Sequence, residues 1–113
     1  MDDCIFCKIA NKEIPTSLVY EDDLVAAFND LSPQAPVHVL IVPKKHYQSV
    51  LEVPEGDAIV AHMFHVASKL AKELGIAENG FRLVINTGKD GGQSVPHLNL
   101  HMTGGREHGW PAG

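Results

Sequence analysis

Three polar residues stand at every second position near the C-terminal end of the chain: His97, Asn99 and His101. In an extended strand successive side chains point to opposite faces, so these three would share one face, each about 6.6 Å from the next. Leu98 and Leu100 would point the other way. The same alternation is typical of an ordinary half-buried strand whose wetter face carries two imidazoles, so both interpretations are open at this point.

The loop before this strand favours a binding site. Gly91 and Gly92 allow positive φ and a close approach of backbone to a ligand, and Gln93 and Ser94 add side-chain donors just upstream of two imidazoles. Backbone N–H groups in such a turn can hold an anion such as phosphate. A glycine pair alone more often marks an ordinary turn. Together, however, glycines, two donors and a strand carrying imidazoles predict a phosphate site.

Length and charge limit the classes of function. The 113 residues fit a single domain, residues 1–113, that can bury one core. A net charge of -5 and a pI near 5.7 argue against a nucleic-acid partner, which would normally select a basic face. A mononucleotide stays possible because one phosphate needs only local donors. Since no segment is long enough to span a membrane and no signal sequence begins the chain, we expect a soluble cytoplasmic protein with no membrane partner.

The hydrophobic pattern predicts five strands and one long helix. The strands are predicted at residues 17–21, 24–29, 37–42, 81–86 and 97–103. The long helix is predicted over residues 54–74, with His62 and His65 on its surface, and a short helical turn over residues 4–9. Connections too short for parallel crossovers favour an α+β fold, in which the long helix packs on one face of an antiparallel sheet.

The strand and its flanks resemble the histidine triad superfamily, whose signature is His-φ-His-φ-His-φ-φ with φ apolar. Asn99 replaces the middle histidine here. The neighbouring Gly-Gly-Gln-Ser-Val and Gly-Gly-Arg are similar to its nucleotide-binding phosphoramidase branch. The resemblance runs from about Cys4 to Gly113 and includes Ile14-Pro15, Tyr20-Glu21-Asp22-Asp23, the segment 31–36, the segment 43–46 and Trp110-Pro111.

This resemblance implies hydrolysis of nucleoside phosphoramidates, or of acyl and aminoacyl adenylates, in two steps through a nucleotidylated histidine, with no cofactor required for catalysis. It places the nucleophile at position 99. The amide nitrogen of Asn99 has a delocalised lone pair and cannot attack phosphorus, so this chain is expected to be inactive or to trap substrate. The resemblance implies that His101 contacts the α-phosphate and that His97 supports the phosphate end of the site. It also implies that Ser94 helps to protonate the departing amine and that His38 orients an imidazole of the triad.

The expected ligands are the purine mononucleotides AMP and GMP. Asp30 could accept hydrogen bonds from both ribose hydroxyls, because a carboxylate has two acceptor oxygens. The other implied contacts are phosphate donors at Gly92, Gln93 and Ser94, an apolar base slot of Phe6, Ile9, Phe28 and Leu31, and a polar contact from Asn86. Plain core packing is an equally good interpretation of the four apolar residues.

Two cysteines spaced as Cys4-x-x-Cys7 form a second candidate site. Structural zinc takes four nitrogen or sulfur ligands, and the resemblance to some bacterial members of the superfamily suggests His46 and His97 as the other two. A redox motif is less favoured because no thioredoxin-like strand precedes the cysteines. Simple packing of two small apolar side chains remains an alternative.

The resemblance also implies a homodimer in which two sheets join into one continuous sheet and each C-terminal tail reaches toward the partner's site. A non-enzymatic nucleotide sensor or partner-binding scaffold is the alternative function. Asn99 itself has two explanations, a natural loss of the nucleophile or an engineered substitution that traps substrate. The second is favoured because every neighbouring residue still matches an active pattern.

Overall fold

A computed structural model describes residues 3–113 of the chain. Its elements, in chain order, are α1 (Ile5–Ala10), β1 (Leu18–Glu21), β2 (Val25–Asn29), β3 (Val37–Pro43), a short 3-10 helix (Val50–Glu52), α2 (Ile59–Glu73), β4 (Phe81–Val84) and β5 (Leu100–Gly104). The strands pair antiparallel in one sheet of order β1-β2-β3-β5-β4. The predicted α+β fold, with a five-stranded antiparallel sheet, one long helix and one short helix, is confirmed.

Each face of the sheet carries one of the helices, as the alternation along β3 requires. Val39 and Ile41 belong to the larger apolar cluster, to which α2 contributes Met63, Val66, Ala67, Leu70 and Ala71. Leu40 and Val42 point the other way, into a smaller cluster with Phe6, Ile9 and Ala10 of α1. His38 alternates with them and is therefore on the α1 side of the sheet, where the polar residues of β5 are also found.

The strand predicted over residues 97–103 begins only at Leu100. Pro96 has no backbone N–H, and the N–H of His97 bonds to the Val95 carbonyl at 2.8 Å in a tight turn. The N–H of Leu98 donates to the Tyr47 carbonyl at 2.8 Å, outside any strand pairing. The predicted alternation nevertheless persists through this bend, because Leu98, Leu100 and Met102 are all buried in the α2 cluster.

The long helix begins at Ile59, five residues later than predicted for Pro54. Gly56 has a φ of 86°, in the left-handed region, and the N–H of Asp57 bonds back to the Pro54 carbonyl, so residues 54–57 form a turn. The predicted end is confirmed. Gly75 has a φ of 77° just after the helix, and the N–H of Ile76 closes the last turn on the Ala71 carbonyl at 3.0 Å.

Of the two helix histidines, His65 is exposed, as predicted, whereas His62 is partly buried. Its Nε2 lies 2.7 Å from the Asp22 carboxylate, which also accepts the Tyr20 hydroxyl. Burial alone would raise the pKa of Asp22, but these hydrogen bonds and two backbone N–H groups hold it well below its usual range. This network ties α2 to the β1-β2 turn, away from the α1 face. Neither helix within residues 3–113 is long and apolar enough to cross a membrane.

Candidate functional site

A cleft of about 340 Å³ opens between α1 and the sheet. Its volume falls in the range of small-ligand sites. Six of the predicted nucleotide-binding residues line it, namely Phe6, Ile9, Phe28, Asp30, Leu31 and Ser94. The residues that sequence reasoning missed are Ile5, Thr16, Asn29, Leu40 and Val95. Leu40 could have been found, since it alternates with His38 on the same face of β3.

The apolar end of the cleft has a buried floor and an exposed rim. The rings of Phe6 and Phe28 pack edge to face with centroids 5.5 Å apart, and Phe28 is buried. Leu31 is 100% exposed. Its side chain has no packing role within residues 3–113, which weakens the interpretation of Leu31 as a core residue. A flat ligand group against Phe28 would give Leu31 apolar surface to bury.

Beside the cleft, on the α1 face of the sheet, three polar groups form a chain, of which Asp30 lines the cleft and His38 and His101 do not. The backbone N–H of Gln34 donates to His38 Nδ1 at 3.0 Å, so the His38 proton is on Nε2. His38 Nε2 lies 3.0 Å from His101 Nδ1 and 3.6 Å from an Asp30 carboxylate oxygen. His101 Nδ1 must therefore accept, and the proton of neutral His101 is on its Nε2. The tautomer of His101 is thus set by its contact with His38.

Burial is the main reason why the pKa of His101 lies below its ordinary value, and the neighbouring His38 lowers it further. The nearby Asp30 opposes this shift only in part. His101 therefore stays neutral at pH 7, and it presents an N–H group as a hydrogen-bond donor. Asp30 keeps its own orientation because its other oxygen accepts the Ser32 N–H at 2.7 Å.

Asn99 occupies the bend before β5 and is only 8% exposed. Its Nδ2 donates to the His97 carbonyl at 2.8 Å, which fixes the direction of the side chain. In the β3-β5 pairing His101 stands opposite Leu40, one of the cleft residues. Position 99 therefore lies two residues along the chain from His101, the partner of this cleft residue in the sheet.

The glycine loop differs from the prediction in how its donors are used. The N–H groups of Gly92 and Gln93 donate inside the loop, to the carbonyls of Lys89 and Gly88 at 3.1 and 3.0 Å. The Gln93 side chain is also engaged, because its Nε2 donates to the Gln48 carbonyl at 2.7 Å and its Oε1 accepts the Gly88 N–H at 3.0 Å. As the loop stands, Gly92 and Gln93 shape it and have no free N–H for phosphate.

Ser94 differs from Gly92 and Gln93, because its donors are free. Neither its hydroxyl nor its backbone N–H has a hydrogen-bond partner within residues 3–113, and the residue lines the cleft. Asn86 is different. It follows the end of β4 and is not part of the cleft lining in the described portion of the chain. The polar contact predicted for Asn86 therefore has no support from the position of the cleft.

The four predicted metal ligands, Cys4, Cys7, His46 and His97, converge, and we call them the Cys-His cluster. His46 Nδ1 and His97 Nδ1 are 3.2 Å apart, and the three close sulfur-nitrogen distances are 3.2, 3.3 and 3.4 Å. Zinc at the centre of a tetrahedron would separate two nitrogens by about 3.3 Å and nitrogen from sulfur by about 3.6 Å. The cluster therefore has the dimensions of a tetrahedral site.

The hydrogen bonding of His97 also fits a metal ligand. Its Nε2 donates to the Pro43 carbonyl at 2.8 Å, so Nδ1 carries a lone pair, and this atom is the one directed at the cluster. A backbone acceptor behind the ring is the usual way in which a ligating imidazole is oriented. Burial, with the hydrogen bond from Cys4, raises the pKa of the Cys7 thiol to about 11. A reactive redox cysteine needs a lowered pKa, so the redox interpretation is disfavoured.

Comparison with known proteins identifies the family. The HIT domain matches residues 11–108 of the chain. The chain belongs to the HIT family. The purine nucleoside phosphoramidase of Escherichia coli strain K12 is 48% identical over 109 residues, which cover 96% of this chain and 92% of that protein.

Two solved structures of HIT proteins share the fold. A histidine triad protein from Clostridium difficile has a TM-score of 0.92 at 55% identity, covering 95% of this chain and 94% of that one. A HIT family hydrolase from Legionella pneumophila has a TM-score of 0.95 at 47% identity, covering 98% of this chain and 100% of that one. The predicted membership of the histidine triad superfamily, in its phosphoramidase branch, is confirmed.

Proposed function

We propose that this HIT protein binds purine mononucleotides, such as AMP or GMP, in the cleft between α1 and the sheet. The observation that carries the proposal is the Asp30, His38 and His101 chain, which holds an N–H donor in a fixed tautomer near the cleft that Ser94 lines. A phosphate needs such donors, while the apolar end offers Phe6 and Phe28 to a base. The name of the Escherichia coli relative points to the same chemistry.

The cleft suggests one orientation of the nucleotide. The base packs against the aromatic end, with Leu31 closing over it. The ribose hydroxyls donate to Asp30, which lines the cleft. The phosphate then meets the His101 Nε2–H and the free donors of Ser94. The amides of Gly92 and Gln93 are engaged within the loop, so His101 and Ser94 supply the phosphate contacts.

The site is that of a nucleoside phosphoramidase in which position 99 lacks its nucleophile. With histidine there, the imidazole lone pair would form a bond to phosphorus while the substrate's P–N bond breaks, and the amine would leave with the proton of the Ser94 hydroxyl. Water would then displace the imidazole, return a proton to Ser94 and release the mononucleotide. Asn99 cannot take the first step. Phosphoramidates and adenylates are therefore bound but not turned over.

The direction of the Asn99 side chain supports this assignment. Its Nδ2 donates to the His97 carbonyl, and the Nδ1–H of a histidine at position 99 could make the same hydrogen bond. That bond would fix the proton on Nδ1 and leave the Nε2 lone pair available to attack. The bend before β5 is therefore suited to an imidazole nucleophile.

Replacing Asn99 with histidine tests the proposal. We expect Asn99→His to hydrolyse an adenosine phosphoramidate, whereas the present chain should be slower by on the order of 10⁶, the loss seen when covalent enzymes lose their nucleophile. Mass spectrometry should detect a nucleotidyl adduct on the new histidine. Asn99→Gln is the matched control, because it changes the side chain without adding a nucleophile. If Asn99→His binds AMP but stays as slow as the control, the non-enzymatic sensor becomes the better function.

We also propose that the Cys-His cluster holds a structural zinc ion. Cys4 and Cys7 would bind it from α1, His46 from the segment after β3 and His97 from the bend before β5. The ion would join three segments around the cleft and hold α1 as its wall. The role of this ion would be structural, because protein ligands would occupy all four tetrahedral positions.

A homodimer with a continuous sheet is proposed from the edge of the sheet. β4 is the last strand in the order, so its outer side has no strand partner within residues 3–113. Such an edge is a template for pairing with a second chain. Trp110, in the C-terminal tail, is 87% exposed and so is free to contact a partner. Sedimentation equilibrium should give twice the chain mass of 12.3 kDa, and a monomer at micromolar concentration would contradict the proposal.

A further inference from the structure

The loop of residues 31–36, between Asp30 and β3, carries a contact on which the nucleotide site depends. Residues 31–34 of this loop are all exposed. An exposed segment buries little apolar surface that could hold it in one conformation. Yet the N–H of Gln34 donates to His38 Nδ1 at 3.0 Å, and this bond sets the tautomers of both His38 and His101. The position of Gln34 therefore needs support from outside the loop.

Arg106, in the C-terminal tail, supplies such a support. Its Nε donates to the Gln34 carbonyl at 2.8 Å, and its Nη1 donates to the Glu107 carbonyl at 2.9 Å. The side chains of Asp30 and His38 also bond to loop 31–36, and within residues 3–113 Arg106 is the only further residue outside the loop whose side chain does so. The N–H of Gln34 is thus held by His38 and its carbonyl by Arg106.

The backbone after β5 is shaped to bring Arg106 to this loop. Gly105 has a φ of 87°, in the left-handed region, and a Cβ atom at this position would lie 3.0 Å from Pro36 Cβ. The tail therefore passes close against the loop where only glycine fits well. Beyond Arg106 the tail is anchored again, because Arg82 Nη2 donates to the Gly109 carbonyl at 2.7 Å. The guanidinium of Arg106 thus approaches the loop from a backbone of fixed course.

We infer that Arg106 is a positioning residue of the nucleotide site, which keeps the Gln34 N–H on His38 Nδ1 and thereby keeps the Nε2–H of His101 available to a phosphate. For the phosphate contact this inference rests on the proposed function. Arg106 itself touches no ligand in this assignment. It acts through Gln34 and His38 on the proton of His101.

The hydrogen bonds show what would change without this support. If the Gln34 N–H moved away, His38 could carry its proton on Nδ1 and accept a hydrogen bond at Nε2. His101 would then donate from its Nδ1, and its Nε2 would present a lone pair, not an N–H, to the phosphate. The Asp30 carboxylate, 3.6 Å from His38 Nε2, still favours a proton on that atom, so the change should be partial.

The ribose contact should survive the same change. Asp30 is fixed independently of Arg106, because its backbone N–H bonds to the His38 carbonyl at 2.9 Å. Loss of the Arg106 bond should therefore weaken ligands that carry a phosphate and spare those that do not. A general loosening of the fold would weaken both kinds of ligand alike.

Two neutral substitutions separate the hydrogen bond of Arg106 from its charge. In Arg106→Gln, the side-chain Nε2 takes the place of the arginine Nε along the chain and keeps an N–H for the Gln34 carbonyl. In Arg106→Met, a methyl group takes that place and offers no donor. Arg82→Met is the matched control, since it removes another arginine that holds the tail but has no bond to loop 31–36.

The first measurement is the ¹⁵N NMR spectrum of the histidine rings in ligand-free protein near pH 7.5. Burial keeps the pKa of His101 below its ordinary value, so the ring is neutral there and its two tautomers give different ¹⁵N signals. The spectrum of His101→Gln identifies those signals. We expect the Nε2–H tautomer in the present chain, in Arg106→Gln and in Arg82→Met, and a mixture of tautomers in Arg106→Met.

The second measurement is calorimetric titration with AMP and with adenosine. Arg106→Met should weaken AMP by about three- to tenfold, the range for one lost hydrogen bond, and leave adenosine nearly unchanged. Arg106→Gln and Arg82→Met should bind AMP nearly as tightly as the present chain. If Arg106→Met and Arg106→Gln show the same His101 tautomer and the same AMP affinity, the inference is refuted. If AMP does not bind even the present chain, the proposed function fails, whereas the ¹⁵N comparison still decides whether Arg106 sets the tautomer.

Discussion

Removing zinc from the Cys-His cluster should lower the stability of the fold by a calculable amount. A metal that binds only the folded chain stabilises it by RT ln(1 + [L]/Kd), or about 2.7 kcal/mol at a free concentration one hundred times Kd. For a chain near 100 residues, 1 kcal/mol corresponds to about 4 °C in melting temperature. We therefore expect chelation to lower the melting temperature by about 10 °C.

The geometry indicates where this stability comes from. The 3.2 Å separation of His46 Nδ1 and His97 Nδ1 brings two nitrogens together, and the hydrogen bond to Pro43 leaves the His97 atom unprotonated. A cation between them satisfies both, together with the two sulfurs. Without the proposed ion, α1 would keep its packing on Leu40 and Val42 but lose its bond to the two histidines, and the wall of the cleft would loosen.

The assay is calorimetric melting of protein purified without a histidine tag, with and without chelator, alongside metal analysis that should find about one zinc per chain. His46→Ala should melt lower than the present chain and no longer respond to chelator. His65→Ala, which removes an exposed histidine outside the cluster, should keep the full response. Metal-free protein whose melting is unchanged by added zinc would refute the site and leave the cysteines as packing residues.

Two other predictions concern the polar end of the cleft. Asp30→Ala should weaken AMP binding by about 1–3 kcal/mol in calorimetry, the cost of losing a charged hydrogen-bonding partner, and unchanged affinity would remove Asp30 from the site. Since the pKa of His101 is lowered in the folded chain, folding resists its protonation, and the free energy of unfolding should fall as the pH drops below about 6.5. His101→Gln should make that fall shallower in urea titrations at pH 7 and pH 5, and an equal fall in both proteins would contradict this reasoning.

Periodicity in the sequence was sufficient to predict the layers of the fold. The alternation in β3 predicts Val39 and Ile41 on one face and Leu40 on the other, and in the structure the first face packs on α2 and the second on α1. Element ends were harder to predict because they depend on single backbone bonds. The turn at Gly56 delays α2, and the N–H of Leu98 pairs with the distant Tyr47 carbonyl, so that β5 starts late.

For the site residues, too, residue type was easier to predict than hydrogen bonding. Residue types and the family resemblance proposed the donors and the acid, and the cleft collects Asp30, Ser94 and Phe28 from separate parts of the chain. The sequence could not show which amide groups of the loop lack a hydrogen-bond partner. That depends on bonds such as the one from the Gln93 side-chain amide to the Gln48 carbonyl. The tautomer of His101 was equally hidden, because it follows from a backbone N–H that bonds to His38.

His97 connects the two candidate sites, and this explains why the bend before β5 matters. Its Nδ1 belongs to the Cys-His cluster, its Nε2 is held by the Pro43 carbonyl, and its own carbonyl accepts the side chain of Asn99. If residues 97–103 formed a continuous strand, their backbone carbonyls would accept hydrogen bonds from the neighbouring strands. The turn at Pro96 instead leaves the His97 carbonyl free to orient whichever side chain stands at position 99. The proposed zinc would thus steady the nucleophile position through one residue, without touching the substrate.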